Sequence, residues 1–234
     1  MFRFKQFSVD QSGCAMKINT DGVLLGAITA HAGPQKILDI GTGTGLIALM
    51  LAQKFNNARI DAVEIDVQAA ETAGRNFEDS PFSAQLHIHP VSIAEYFDSY
   101  PDEKFDLIVS NPPFYINSLE SSEKKKKQAK HTAVSFFESL IKGISEHLSA
   151  NGLCWLILPV ETANEVKLIA EQNNMQLQKR ISIRSFQESE PHREVVCFGF
   201  DEKEIIDSEF VIYESIGVYS KNYKELLKPY FLAF

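Results

Sequence analysis

Short apolar runs alternate along this chain with segments whose apolar positions recur every three to four residues. Lys36–Ile40 (KILDI) reads as a buried strand, and Gly45–Phe55 follows with Leu46, Leu49 and Ala52 at helical spacing. Arg59–Ile65 is a second strand and Val67–Phe77 a second helix; Gln85–His89 is a short third strand. Phe105–Ser110 is a fourth strand, bracketed by Pro101 and by Pro112–Pro113. Ala133–Leu148 has the pattern of a long amphipathic helix, Gly152–Leu158 that of a fifth strand closed by Pro159, and Glu161–Asn173 that of a helix. Met175–Ser185 and Glu194–Phe200 are two further strands, with a polar connection too short for a helical crossover, so an antiparallel pair is expected there.

This alternation predicts an α/β fold of Rossmann-like type: a mostly parallel seven-stranded sheet with helices on both faces. The tail from Glu204 adds a short strand (Glu209–Tyr213) and a short helix (Asn222–Phe231). No repeat and no long Gly/Ser/Pro linker divides the chain, so 1–234 is expected to be one domain. Its core runs from about 20 to 200, with an N-terminal segment at 1–35 and an extension at 204–234.

Composition changes this picture little. Hydrophobic residues make up 44% and charged residues 23%, as in ordinary globular proteins. No run approaches the roughly 20 apolar residues of a membrane span. The opening MFRFKQFSVDQSG lacks the apolar core of a secretion signal, and the cytoplasm is the expected location. Cys14, Cys154 and Cys197 are scattered, without a CxxC, so neither a disulfide framework nor a metal site is expected. The net charge of −8 argues against a general nucleic-acid binder but leaves room for a local basic patch.

The chemistry concentrates at two strand ends. Asp39-Ile-Gly41-Thr-Gly43-Thr-Gly45 closes the first strand and opens the first helix. Such glycines let the backbone turn sharply and approach a ligand, in the crevice where open α/β sheets bind them. The spacing is not the G-x-G-x-x-G of dinucleotide sites, and Asp39 would repel a pyrophosphate there. It would accept hydrogen bonds from an amino acid's ammonium, directly or through water, which favours a ligand with a methionine moiety. Glu64 ends the second strand, where an acid accepts both hydroxyls of a ribose; nearby Asp66 suits a helix N-cap.

Ser110-Asn111-Pro112-Pro113-Phe114-Tyr115 follows the fourth strand. The prolines stiffen the loop and remove backbone donors, leaving the Asn111 side-chain oxygen and loop carbonyls as acceptors. Acceptors at a strand's carboxyl end suit an amino group. Holding its hydrogens localises the nitrogen lone pair as a methyl arrives, so no strong general base is needed. Phe114 or Tyr115 would stack on a base plane, worth about 1–3 kcal/mol.

These residues resemble the class I S-adenosylmethionine-dependent methyltransferases of the amino-methylating branch over about Thr20 to Phe200. The resemblance makes Asp39, Gly41, Gly43, Gly45 and Glu64 cofactor-binding, and Asn111, Pro112, Pro113 and Phe114 catalytic, with Asn111 also beside the cofactor. Phe7–Gly26, Lys130-His131-Thr132 and the closing Tyr219…Phe234 are similar to the bacterial tRNA1(Val) (adenine(37)-N6)-methyltransferases. That family implies S-adenosylmethionine as cofactor, S-adenosylhomocysteine as product, and a tRNA anticodon stem-loop as partner. It further implies a monomer that needs no metal or membrane, with Thr20 and Asp21 lining the cofactor pocket. Ser92 stands where related enzymes often place an Asp near the cofactor's adenine.

The run Glu120–His131 follows the catalytic loop and carries Lys124, Lys125, Lys126, Lys127, Lys130 and His131. As a loop it is expected either to clamp RNA phosphates, ordering on binding, or to stay a solvated charged surface. Its position at the site's mouth favours RNA, and Lys179, Arg180, Arg184 and Arg193 are candidates to extend the basic surface. His87 and His89 alternate on a strand without a third ligand, which favours structural roles. Similar loops occur in enzymes that methylate guanine N2 of ribosomal RNA and release-factor glutamine, and a non-catalytic cofactor- or RNA-binding role is the remaining rival.

Overall fold

A computed structural model describes residues 1–12, 17–113 and 123–234, with backbone only over 123–133. Two short antiparallel strands, β1 (Phe2–Arg3) and β2 (Ser8–Val9), precede helix α1 (Thr20–Ile28). Then come β3 (Lys36–Ile40), α2 (Leu46–Lys54), β4 (Arg59–Val63), α3 (Val67–Glu78), β5 (Leu86–His89), α4 (Ile93–Ser99) and β6 (Phe105–Ser110). The second half holds α5 (Glu123–His147), β7 (Leu148–Leu158), α6 (Val160–Gln172), β8 (Gln176–Arg184), β9 (Arg193–Gly199) and β10 (Ile206–Val211). The hairpin β11 (Tyr213–Ser215) and β12 (Val218–Tyr219) leads to α7 (Lys221–Leu227).

The central sheet has eight strands, not seven, in the order β10-β8-β9-β7-β6-β3-β4-β5. All neighbours pair in parallel except β9, which runs against β7 and β8. The eighth strand is the tail strand, parallel to β8. Because β9 runs the opposite way, it ends where β10 must begin. The segment 200–205 therefore suffices to bring the chain to the sheet edge without a helix.

Each strand sorts its side chains by the period of two. Ile60, Leu107, Val109, Trp155, Ile157, Val195 and Cys197 face a core closed by α1, α2, α3 and α7. Leu38, Ile108, Cys154, Leu156, Val196 and Phe198 face the opposite core, under α4, α5 and α6. Burial on both faces explains why these strands read as continuous apolar runs.

Two helices escape the periodicity. In α1 every residue from Gly22 to Ala27 is buried, so no polar stripe marks it. α4 is only seven residues long, yet Ser92 and Glu95 form a full capping box, a signature that Ser92-Ile-Ala-Glu95 carried in plain sight. α5 begins at Glu123, ten residues before the expected Ala133, so the lysine run is helical rather than a loop, and Leu148 belongs to β7. At 1.5 Å per residue, 25 residues span roughly 37 Å. That is close to the reach of the eleven residues of β7, which follows it directly.

Candidate active site

The site lies beyond the carboxyl ends of β3, β4 and β6. After β3 the chain turns through three glycines with φ of 70° (Gly41), 58° (Gly43) and 81° (Gly45), values open mainly to glycine. The N–H groups of Gly41 and Thr42 both donate to the Val63 carbonyl, at 2.8 and 3.1 Å, which stitches the loop to the end of β4. A Cβ at Gly43 would meet nothing within 4 Å; it would project into the cavity that the loop borders. Gly45 is different. Its Cβ would stand 2.4 Å from Phe77 Cε1, so this glycine serves the packing of α2 against α3 and does not line the cavity.

Asp39 lies beneath the loop, fully buried and outside the cavity wall. Its Oδ2 accepts from Thr42 Oγ1 (2.6 Å) and Ala48 N (3.1 Å), while Oδ1 has no partner. Burial pushes this carboxyl up to about 7, against the lowering effect of those two bonds. Asp39 holds the loop from below with Oδ2, and stands outside the lining where a direct contact with an ammonium would be made.

Glu64 does line the cavity. Its Oε2 accepts from Gly43 N and its Oε1 from Asp66 N, both at 2.9 Å. Each oxygen keeps a lone-pair direction for a ligand hydroxyl. Asp66 caps α3 through Ala69 N (2.8 Å) and also borders the cavity.

The cavity has a volume of about 470 Å³, within the usual range for small-molecule sites. Its walls are apolar: Ile40, Val63 and Ile65 on one side, Val91, Ile93, Ala94 and Phe97 on another, with Phe136 and Leu140 from α5. None of the aliphatic or α5 wall residues carries a sequence signal of its own. Ser92 is at the wall, but its groups are committed. Ser92 N and Oγ both donate to Glu95 Oε2, at 2.9 and 2.7 Å, and Ser92 Oγ accepts from Glu95 N at 3.2 Å. The surface offered to a flat ligand there is therefore chiefly apolar.

At the other end stand Ser110, Asn111, Pro112 and Pro113. Ser110 Oγ donates to Ile40 O (2.8 Å), tying β6 to β3 under the loop. Asn111 Oδ1 is buried, borders the cavity and accepts no hydrogen bond. An unsatisfied buried carbonyl oxygen costs about 1–3 kcal/mol, and of the buried unsatisfied side-chain atoms among the described residues this is the one on a residue that lines the cavity. Phe114 and Tyr115 lie outside the described residues, as do the side chains of Lys124, Lys125, Lys126, Lys127, Lys130 and His131.

Thr20 and Asp21 do not line the cavity. They form the first turn of α1, where Asp21 pairs with Arg193 at 2.8 Å. The expected basic surface is likewise neutralised along β8: Arg180 pairs with Asp207 and Arg184 with Glu209, while Lys179 lies over the Trp155 ring. His89 serves structure, bonding the buried Asp61 at 2.7 Å, and Arg59 completes that cluster. Cys154 and Cys197 are free and buried. Among the described residues no helix is long and apolar enough to cross a membrane.

The arrangement fits a ligand with three parts: a polar end over the glycine loop, a diol at Glu64 and a flat moiety between apolar walls. Its reactive end would face an amino group held at Asn111. Residues 19–181 match the family model described as methyltransferase small domain. Along its whole length the chain is 46% identical to a tRNA1(Val) (adenine(37)-N6)-methyltransferase of Pedobacter heparinus, of which the match covers 98%. It is 38% identical to one of Bacteroides thetaiotaomicron, over 99% of this chain and 97% of that one. A solved structure described as a predicted O-methyltransferase of Agrobacterium tumefaciens superposes with a TM-score of 0.70. That match is at 17% identity, over 90% of this chain and 96% of that one, and shows the shared fold.

Proposed function

The chain belongs to the methyltransferase small domain family and, at full length, to the tRNA1(Val) (adenine(37)-N6)-methyltransferases, and from this we infer how its site works. It is an enzyme that methylates N6 of adenine in tRNA, with adenine 37 of a valine tRNA as the base. S-adenosylmethionine supplies an electrophilic methyl group on a sulfonium.

The residues fit that cofactor. The open face of Gly41 and Gly43 takes the amino-acid end, with Asp39 bracing the loop beneath. Glu64 accepts the ribose hydroxyls. Val91, Ile93, Ala94 and Phe97 hold the adenine by apolar contact.

The observation that carries the reading is the unsatisfied Asn111 Oδ1 at the cavity wall. An exocyclic N6 amine donates a hydrogen to it, and the Pro112 carbonyl is positioned in sequence to take the second. Drawing on both hydrogens localises the nitrogen lone pair and stabilises the positive charge that develops there. The proton leaves to water after transfer. Phe114 is assigned to stack on the base. The tRNA anticodon stem-loop is assigned to the first turns of α5, whose sequence is rich in lysine.

Replacing Asn111 with Ala is expected to lower kcat by about 10²–10³ while S-adenosylmethionine affinity stays within about twofold. The assay is methyl transfer to tRNA from cells lacking the modification, read as N6-methyladenosine by nucleoside mass spectrometry. Transfer at near wild-type rate would sink the assigned mechanism; no N6-methyladenosine from the wild type would overturn the substrate.

A further inference from the structure

Helix α3 carries a buried amide that this chemistry leaves unused. Asn76 is 3% exposed. Its Nδ2 donates to two carbonyls, Thr44 O at 2.9 Å and Asp10 O at 3.0 Å, and its Oδ1 accepts from Asp10 N at 2.8 Å. Thr44 belongs to the glycine loop and Asp10 is the first residue past β2. One side chain therefore joins the loop to the N-terminal segment.

That segment is fastened at further points. Thr72 Oγ1, one turn earlier on α3, shares its one hydrogen between Gln68 O at 3.0 Å and Ser12 O at 3.2 Å. Gln11 Oε1 accepts from Ile18 N at 2.8 Å, drawing the segment's two ends together. Asn19 caps α1 by accepting from Gly22 N at 2.9 Å. A Cβ on Gly22 would lie 3.5 Å from Leu46, the first residue of α2, and 3.9 Å from Asn111 Nδ2. The segment thus starts against α3 and the glycine loop, and the helix it leads into passes Leu46 and Asn111 at Gly22.

We propose that Asn76 is a positioning residue: by tying Thr44 of the glycine loop to the N-terminal segment it fixes the loop whose Gly41 and Gly43 take the amino-acid part of S-adenosylmethionine. This rests on reading the cleft as the cofactor site. An amide is required because the position must donate twice and accept once. Aspartate loses both donors and sets a carboxylate against the carbonyls of Thr44 and Asp10. Asn76 touches neither the base nor the catalytic loop, so tRNA recognition and the rate at saturating cofactor are independent of it.

The test uses the full chain. S-adenosylmethionine is titrated calorimetrically into wild type, Asn76→Asp and Gln11→Ala, with hydrogen exchange followed over 8–12 and 17–20 and steady-state kinetics on tRNA. Asn76→Asp is expected to weaken the cofactor about tenfold and Gln11→Ala about threefold. Exchange in the segment accelerates, while kcat and the tRNA KM stay within about twofold of wild type. Gln11 is only half-buried, so its variant carries the test should Asn76→Asp not fold. Faster exchange with unchanged cofactor affinity overturns the proposal. So does a fall in kcat and tRNA affinity alongside cofactor affinity, which would mean general damage. A wild type without cofactor affinity overturns the reading of the cleft beneath it; wild-type affinity that both variants keep overturns the pin alone.

Discussion

At Asp39 burial and hydrogen bonding pull the carboxyl in opposite directions, and burial wins, placing it at about 7. The native chain then holds a proton that the unfolded chain, with its carboxyl near 4, has already released. Asp39 therefore favours folding below about pH 4, and that contribution is lost as pH rises through about 7. Denaturant unfolding of the cofactor-free protein between those limits should show this falling stability, and Asp39→Asn should flatten the slope. Equal slopes in the two proteins would mean that the carboxyl titrates at its ordinary value. Asp61 behaves oppositely. Burial alone would raise it, but hydrogen bonds from His89 and Arg59 outweigh burial and hold it below its usual range. Its stabilising share is present above about pH 4 and lost in acid. The sequence marked Asp39 by its place before the glycines, but its burial and supporting role follow from packing by residues far away along the chain.

The contact between α2 and α3 turns on Gly45. Two costs would fall on any side chain there: φ is 81°, and Phe77 already fills the space where a Cβ would go. Gly45→Ala is expected to destabilise the fold by about 1–3 kcal/mol, read from the urea midpoint. Adding Phe77→Leu should recover only part of it, since the smaller side chain relieves the clash and leaves the backbone strain. Full recovery would show that left-handed geometry costs nothing at this turn. A D-x-G-x-G-x-G pattern announces a tight turn, but it does not reveal that the third glycine faces a phenylalanine instead of the ligand. The capping box of α4 was legible and competes with the adenine role assigned to Ser92 by position. The Ser92 hydroxyl gives its hydrogen to Glu95 Oε2 and accepts from Glu95 N, which leaves a single lone pair for an adenine amine.

Across the whole molecule the two ends of the chain close one core. Phe4 bridges to Phe231, Lys5 N donates to Tyr230 O, and Phe4 stacks on Phe7 at 4.6 Å. Tyr223, Leu227 and Tyr230 are buried in the layer that also holds α1 and α2. Removing 221–234 strips these three from the core and exposes the aromatic cluster around Phe4. The melting temperature should fall by more than about 10 °C, since each large core truncation costs roughly 2–5 kcal/mol. A truncated chain that melts with the full one would show that the tail is an appendage. The aromatic residues of 221–234 hint at burial, but the role of the tail becomes visible only when β10 is seen on the sheet edge and α7 packed against it.

The sequence by itself determined the alternation of strands and helices, the glycine turn, the acid after β4 and the Asn-Pro-Pro loop after β6. These are local signals, written in periods of two and 3.6 and in residue types that few backbones other than tight turns require. The tertiary structure decided what depends on neighbours distant in sequence. It placed the tail strand at the sheet edge, since β9 delivers the chain to the correct end. It neutralised Arg180, Arg184 and Arg193 with carboxylates from other elements. It left Asn111 Oδ1 buried and unpaired at the cavity wall, and satisfied every polar group of Asn76. Whether a polar atom has a partner is settled by packing across the whole chain, which no local pattern encodes.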